Sequence, residues 1–272
     1  SAAADVYKRQ TKRQKLPRKP QKPIPPALSP NRPGAIYNGM IHPWGGYAMR
    51  GAIWYQGESN ARRAKEYETL FPLLIADWRK RWAEEIPFYF AQLANFKAPT
   101  ARPGQLSSWA ELQNAQRLAL RLPGTGMAVL NDIGAAKDIH PRNKKDVGER
   151  LSRWALNGEY GRTNLVVSGP LYRGFKVEES RIRITFDHAA GLTTSDGKKA
   201  ARFEIAGQDR VWHWADVVLE GETALVSSRE VSEPVAVRYA WAANPKGANL
   251  VNAAGLPASL FRTDSWKLST QR

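Results

Sequence analysis

The order of apolar and amphipathic segments between residues 48 and 156 limits this chain to a narrow set of folds. Three apolar stretches are predicted to be buried strands, at 48–55, 87–93 and 126–132. Each is followed by a loop and by a segment with helical spacing of apolar side chains, at 61–83, 108–122 and 143–156. This alternation is typical of a parallel sheet with right-handed crossovers. We therefore predict an α/β fold, in which Pro72 kinks or splits the first helix.

The sequence on either side of this region has a different texture. From about residue 165 onwards, short stretches alternate apolar and polar side chains and are separated by glycine turns, which predicts a small antiparallel β domain over 165–272. Residues 1–34 contain seven prolines and little apolar periodicity, so we predict a disordered, polyproline-like linker there. The α/β domain, which would carry any catalytic site, is assigned to 35–164.

Composition excludes several classes of protein. The net charge is +16, but residues 1–34 hold nine Lys/Arg and one acid, so half of the excess lies in the predicted linker. Nucleic-acid binding is therefore not expected as the main function, although a basic tail that binds polyanions stays an alternative. With no cysteine there is no disulfide, thiolate metal site or cysteine nucleophile. No apolar run reaches the roughly 20 residues of a membrane span.

Polar groups follow the first and third predicted strands. The first strand ends in Gln56-Gly57-Glu58-Ser59-Asn60, and Asp138 and His140 follow the third. Open α/β sheets place their chemistry at this carboxyl edge. A carboxylate near a histidine can fix its tautomer and stabilise the imidazolium during general-base catalysis. The amide of Gln56 suits an oxyanion, and Gly57 allows the backbone to approach a ligand closely.

Ser59 is a candidate nucleophile with a competing interpretation. Gly57-Glu58-Ser59-Asn60-Ala61 is close to the Gly-x-Ser-x-Gly elbow found at strand-to-helix turns, with Ala in place of the last Gly. The favoured alternative is that Ser59 or Asn60 caps the helix. A second acid–histidine pair, Asp187-His188, ends a β-region strand and is interpreted as structural.

With these motifs in view, the sequence resembles the sialate O-acetylesterase family of the SGNH hydrolases over about residues 35–266. The resemblance is carried by Tyr37–Ile41, Gly51–Asn60, Gln92–Ala94 and Asp138–Lys144. It implies a flavodoxin-like, three-layer α/β catalytic domain with accessory β structure. It also implies a serine esterase without metal or cofactor, which removes O-acetyl groups from sugars such as sialic acid and is periplasmic or secreted.

The resemblance also implies roles for individual residues. His140 would be the general base and Asp138 its orienting acid, with Asp132 as a weaker candidate for the acid. Gln56 would help to form the oxyanion hole, Gly57 would allow close approach, and Glu58 would be a buried organiser of that turn. Ser59 does not match the family nucleophile.

The sequence departs from the family pattern in one respect. The family's nucleophile lies in a Gly-Gln-Ser-Asn type motif, followed by a Gly-Gly-Thr type motif, and neither occurs here. Gly104-Gln105-Leu106-Ser107 does not fit, because Leu replaces the Ser. We therefore expect the C-terminal part of a longer enzyme, with a sheet incomplete at its N-terminus, exposed apolar sheet surface and almost no activity alone.

Two alternatives to this interpretation stay open. The chain could be a complete hydrolase that uses Ser59 with His140 and Asp138. It could instead be a non-catalytic carbohydrate-binding module that presents Trp212, Trp214 and Trp241 as a sugar platform.

Overall fold

The computed structural model describes Pro25, Ser29 and residues 32–271, so the predicted linker over 1–34 lies almost entirely outside the described residues. The chain divides into two compact units, Ser1–Tyr47 and Ala48–Arg272. In the first unit, a π-helical turn at Tyr37–Ile41 is followed by a 3-10 turn at His42–Trp44.

The second unit begins with a three-stranded parallel sheet. Its strands are β1 (Ala52–Trp54), β2 (Phe88–Ala91) and β3 (Thr125–Ala128), in the order β1-β2-β3. Both pairs are parallel. Every residue of β2 is buried, as expected for a central strand with helices on both faces. The predicted parallel α/β sheet is therefore confirmed.

The first predicted strand differs from expectation. Residues 48–55 were expected to be buried on both faces, but β1 is a short strand at the edge of the sheet. Among the described strands it pairs with β2 alone, and Ile53 is 72% exposed. Trp54 packs against Phe71 and Trp78 on one face of the sheet. The helix on the opposite face packs against β2 and β3, which leaves the Ile53 face uncovered.

Three helices flank the sheet: α1 (Ala64–Trp82), α2 (Ser108–Leu118) and α3 (Lys144–Gly158). Pro72 was expected to kink or split the first helix; it does not split it, because α1 runs through Pro72 as one element, and a kink there stays a prediction. Tyr67, Phe71 and Ile75 are buried on one face of α1, so packing on the sheet supports the helix on both sides of Pro72. Ser107 caps α2 by accepting a hydrogen bond from the Ala110 amide at 3.1 Å.

The strands that the structure describes after residue 170 pair in antiparallel fashion, as predicted. They are β4 (Leu171–Glu178), β5 (Arg181–Asp187), β6 (Thr193–Thr194), β7 (Phe203–Ala206), β8 (Trp212–Trp214), β9 (Asp216–Glu220), β10 (Thr223–Ser227), β11 (Ala236–Tyr239), β12 (Leu250–Val251) and β13 (Phe261–Arg262). Two four-stranded sheets have the orders β4-β5-β10-β9 and β13-β11-β7-β8, and β12 pairs with β6. Ile184 and Val226 of the first four-stranded sheet share one core cluster with Phe203 and Phe261 of the second.

The α/β and antiparallel parts are joined by buried polar contacts. Gln92 Nε2 at the end of β2 donates to Ser259 Oγ at 2.9 Å, and Asn131 Nδ2 donates to the Ala258 carbonyl at 2.9 Å. Both parts thus belong to the same compact unit, within which the boundary at 164/165 stays a prediction.

Candidate active site

The turn after β1 is held by side-chain amides. Gln56 Nε2 donates to Asn60 Oδ1 at 2.8 Å, and the Tyr67 hydroxyl donates to Gln56 Oε1 at 3.2 Å. Burial raises the pKa of Tyr67 to about 12, so this hydroxyl remains a donor at neutral pH. The Gln56 carbonyl accepts from Gln116 Nε2 of α2 at 3.1 Å. The Gln56 amide therefore has a fixed orientation, with one N–H engaged and the second available.

Gly57 is required by packing within the protein. Its φ is +153°, and a Cβ at this position would lie 3.0 Å from Leu112 Cδ2 and 3.3 Å from Gln116 Nε2. Its N–H donates to Glu58 Oε2 at 3.0 Å. Glu58 is half-buried, and its charge adds to the effect of burial in raising the pKa of Tyr55. The glycine thus lets the turn sit directly on α2, and the expected approach to a ligand stays a prediction.

Helix α2 supplies functional residues that the sequence analysis missed. Gln116 Oε1 accepts from the Leu93 amide at 2.9 Å, and Gln113 Nε2 donates to the Leu93 carbonyl at 2.6 Å. Together with the Gln116 bond to Gln56, these contacts tie the ends of β1 and β2 to α2. The available signal was the concentration of polar side chains within Glu111–Gln116. The segment is buried throughout, and polar groups in such a position are usually paired internally, although Gln113 Oε1 has no partner among the described residues.

Asp138 and His140 lie in the loop after β3, and both are exposed. Asp138 Oδ1 accepts from the His140 backbone N–H at 2.9 Å, so the carboxylate fixes the local turn. Among the described residues no group forms a hydrogen bond with the imidazole, and the second Asp138 oxygen has no partner. Both oxygens of Asp132 are bound by Arg150, at 2.6 and 2.7 Å, so Asp132 is occupied elsewhere.

An asparagine pair anchors this loop to the antiparallel part of the chain. Asn95 Oδ1 accepts from the Gly134 amide at 2.7 Å, and Asn95 Nδ2 donates to Asn244 Oδ1 at 3.1 Å. Asn244 Nδ2 in turn donates to the Lys97 carbonyl at 2.7 Å. A Cβ on Gly134 would lie 2.0 Å from the Asn95 carbonyl oxygen, so only glycine permits this approach. Asn244 therefore positions the loop that carries His140.

The two predicted halves of the site lie at the same edge of the sheet. Lys144 lies at the start of α3, just after the Asp138–His140 loop, and Tyr55 directly precedes Gln56 in the sequence. The Lys144 ammonium is 4.9 Å from the centre of the Tyr55 ring, so the two loops are in contact through these neighbours. Ser59 is exposed, and no hydrogen bond in the described part of the chain joins it to His140.

The remaining candidates are engaged in packing. Trp241 is 2% exposed. Trp212 is partly buried, and the Arg238 guanidinium stacks over its ring at 4.2 Å. Of these three tryptophans, only Trp214 is exposed. They do not form a shared sugar platform. His188 is exposed, with its ring edge-on to Trp154 at a centroid distance of 5.9 Å, and partial desolvation lowers its pKa despite the neighbouring Asp187.

Within residues 32–271 we find no group of three or more Asp, Glu or His side chains arranged to hold a metal ion. In the same residues, no helix combines the length and apolar character needed to cross a bilayer.

Comparisons with known proteins give the family to which this fold belongs. The family described as "Carbohydrate esterase, sialic acid-specific acetylesterase" matches residues 30–157. A crystal structure of a carbohydrate acetylesterase from Xanthomonas citri aligns with a TM-score of 0.81 and 43% identity, covering 85% of this chain and 54% of that one.

Curated relatives point to the same family. The sialate O-acetylesterase of Mus musculus is 31% identical over 244 residues, which cover 79% of this chain and 44% of the mouse protein. The sialate O-acetylesterase of Homo sapiens is 28% identical over 262 residues, covering 85% of this chain and 48% of the human protein. The chain therefore belongs to the sialate O-acetylesterase family of carbohydrate esterases. It spans about half the length of these relatives.

Proposed function

We propose that this chain carries the general base and part of the oxyanion hole of a serine esterase that removes O-acetyl groups from sugars such as sialic acid. The observation that carries the proposal is the placement of the Gln56 turn and the Asp138–His140 loop at one carboxyl edge of the sheet in a member of this family.

In the proposed reaction, His140 accepts the proton of a serine hydroxyl as the serine oxygen attacks the acetyl carbonyl carbon. The second N–H of the Gln56 amide, together with backbone N–H groups, stabilises the oxyanion of the tetrahedral intermediate. The C–O bond to the sugar then breaks, and His140 returns the proton to the leaving hydroxyl. Water releases acetate by the same steps, while the unpartnered oxygen of Asp138 is available to orient the imidazolium.

We propose further that the nucleophile comes from a segment outside these 272 residues. No serine of the described residues is hydrogen-bonded to His140, and the chain spans 54% of its structural relative. The unpaired edge of β1 and the 72% exposed Ile53 side chain provide a surface that such a segment would cover. An exposed strand edge of this kind can pair with another strand.

The test is acetate release from an O-acetylated sialic acid by the purified chain, alone and mixed with the half of the Xanthomonas citri enzyme that this chain does not cover. We expect the chain alone to fall about 10⁴-fold or more below the complete enzyme, because removing one member of a catalytic unit typically costs that much. The mixture should recover activity, and His140→Asn should abolish the recovery. His213→Asn, in β8, is the matched control and should leave it unchanged.

The same assay distinguishes the alternative that uses Ser59. High activity of the chain alone, abolished by Ser59→Ala, would replace the proposed external nucleophile with Ser59. High activity that survives both Ser59→Ala and His140→Asn would refute the proposed mechanism. Export to the periplasm or the medium stays a prediction from the resemblance.

A further inference from the structure

A cavity of about 270 Å³ lies away from the Gln56 turn, where α1, α2 and the carboxyl-terminal segment 262–271 meet. Its lining includes Lys65, Arg117 and Arg262, together with Glu68 and Asp264. Neither Gln56 nor His140 lines it, so it is separate from the proposed acetyl-transfer site.

Arg117 lines this cavity without a carboxylate partner among the described residues. Its Nε and Nη2 both donate to Asn114 Oδ1, at 3.2 and 3.0 Å, and the guanidinium lies 5.7 Å from the centre of the Tyr172 ring. Burial lowers the pKa of Arg117 to about 10, and the nearby Arg121 acts in the same direction. The guanidinium is thus a cation in a poorly solvated position whose charge is not balanced.

Arg262, on the same cavity, has an unsatisfied donor. Its side chain is 8% exposed, and Nη2 donates to Asp264 Oδ1 and to the Trp266 carbonyl. The Nε atom is buried and has no hydrogen-bond partner in the described part of the chain. An atom with almost no accessible surface cannot meet a ligand in the cavity, so Arg262 contributes its positive charge and its place in the cavity wall and not this N–H.

The acids at the cavity are already engaged. Lys65 pairs with Glu68 at 2.7 Å. Asp264 is shared between Arg262 and Arg238, and Arg238 donates to it twice, at 2.9 and 3.0 Å. Asp264 therefore faces two arginines, and Arg117 adds a third positive charge, while Glu111, whose charge also acts on Arg262, offsets one of them. The local field favours an anion.

We propose that this cavity binds a small oxyanion, the carboxylate or phosphate group of a small molecule, through Arg117 and Arg262. Guanidinium groups match such anions because their planar N–H donors can bind two oxygens at once. The volume is slightly below the roughly 300–1,000 Å³ of pockets for drug-sized ligands, so the anion belongs to a small molecule.

The experiment follows the tryptophan fluorescence of the purified chain, to which Trp266 in the cavity lining contributes, during titration with sodium phosphate or with sodium glucuronate. Sodium chloride keeps the ionic strength constant. We expect a saturable change with at least one probe, and its identity distinguishes a phosphate source from a carboxylate source. Arg117→Met should weaken binding about tenfold or more, whereas Arg121→Met, exposed and one turn further along the chain, should not.

If Arg117→Met does not fold, Arg117→Lys tests the same point. Lysine keeps the positive charge but lacks the planar guanidinium donors, so weaker binding is again expected. The proposal is overturned if neither probe gives saturation with the unsubstituted chain. It is also overturned if the folded Arg117 variants bind as tightly as the unsubstituted chain. If Arg121→Met weakened anion binding as much as Arg117→Met, the anions would be attracted by the net charge of +16 in general, and the proposed site would be overturned as well.

Discussion

Replacing Gln116 by methionine should destabilise the protein while preserving side-chain volume. The substitution leaves the buried Leu93 N–H without its acceptor at 2.9 Å and removes the Gln116 donor at 3.1 Å from the Gln56 carbonyl, which keeps only the longer contact with the Tyr67 hydroxyl at 3.5 Å. A buried group left unpaired costs about 1–3 kcal/mol, and the Gln56 carbonyl is only partly buried. We therefore expect the free energy of unfolding to fall by about 2–4 kcal/mol, measured by urea unfolding with tryptophan fluorescence.

The matched control for this experiment is Gln208→Met. Gln208 is exposed in a turn, so the same chemical change should alter the free energy of unfolding by less than about 0.5 kcal/mol. Equal m-values would show that the two variants expose similar surface on unfolding. If Gln116→Met also changed stability by less than about 0.5 kcal/mol, the inference that this amide ties the strand ends to α2 would be refuted.

Three further predictions concern buried polar groups in the second unit. Burial raises the pKa of Glu204 from 4.5 to about 7. Between these two pH values the folded state keeps a proton that the unfolded state loses. The free energy of unfolding should therefore fall by about 3 kcal/mol as the pH rises from 4.5 to 7. Glu204→Gln should flatten this part of the stability–pH curve from urea unfolding. Asn244→Leu should release the loop that carries His140, and trypsin should cleave after Lys137 about tenfold faster. The Glu111 carboxylate accepts four hydrogen bonds from Ser269 and Thr270. Glu111→Gln should therefore lower the free energy of unfolding by about 1–3 kcal/mol and make the chain beyond Ser269 accessible to carboxypeptidase.

Exposed residues provide the controls for these variants. Glu222→Gln should change neither the pH dependence nor carboxypeptidase sensitivity, and Asn164→Leu should not alter cleavage after Lys137. A Glu204→Gln protein with the original pH slope, or an Asn244→Leu protein cleaved at the original rate, would contradict the respective argument. So would a Glu111→Gln terminus that resists digestion as before.

The sequence was informative where a segment's own pattern decides its structure. The apolar run at 87–93 identified the central strand, and the spacing within 143–156 identified α3 to within two residues at its C-terminal end. The edge position of β1 could not be found in this way. An apolar strand has the same local pattern whether it has one neighbour or two, because pairing depends on segments far along the chain.

The same distinction applies to the candidate site. Gln56, Asp138 and His140 could be predicted as site residues because the carboxyl ends of parallel strands share an edge and because the motifs resemble a known family. Gln116 and Asn244 were not found, because their partners lie 60 and 149 positions away, at Gln56 and Asn95. A side-chain amide that binds residues far away along the chain leaves no recognisable pattern in the sequence.

The free edge of β1 in the described sheet allows the exchange rate of one backbone amide to show whether a further strand has paired with it. The Ala52 N–H donates to the Pro87 carbonyl at 2.8 Å, so the next N–H along the strand, that of Ile53, points away from β2. In deuterated water, the Ile53 amide should exchange rapidly while those of β2 stay protected. A strand added at this edge would accept a hydrogen bond from the Ile53 amide and slow its exchange, so this rate reveals whether the sheet has gained a fourth strand.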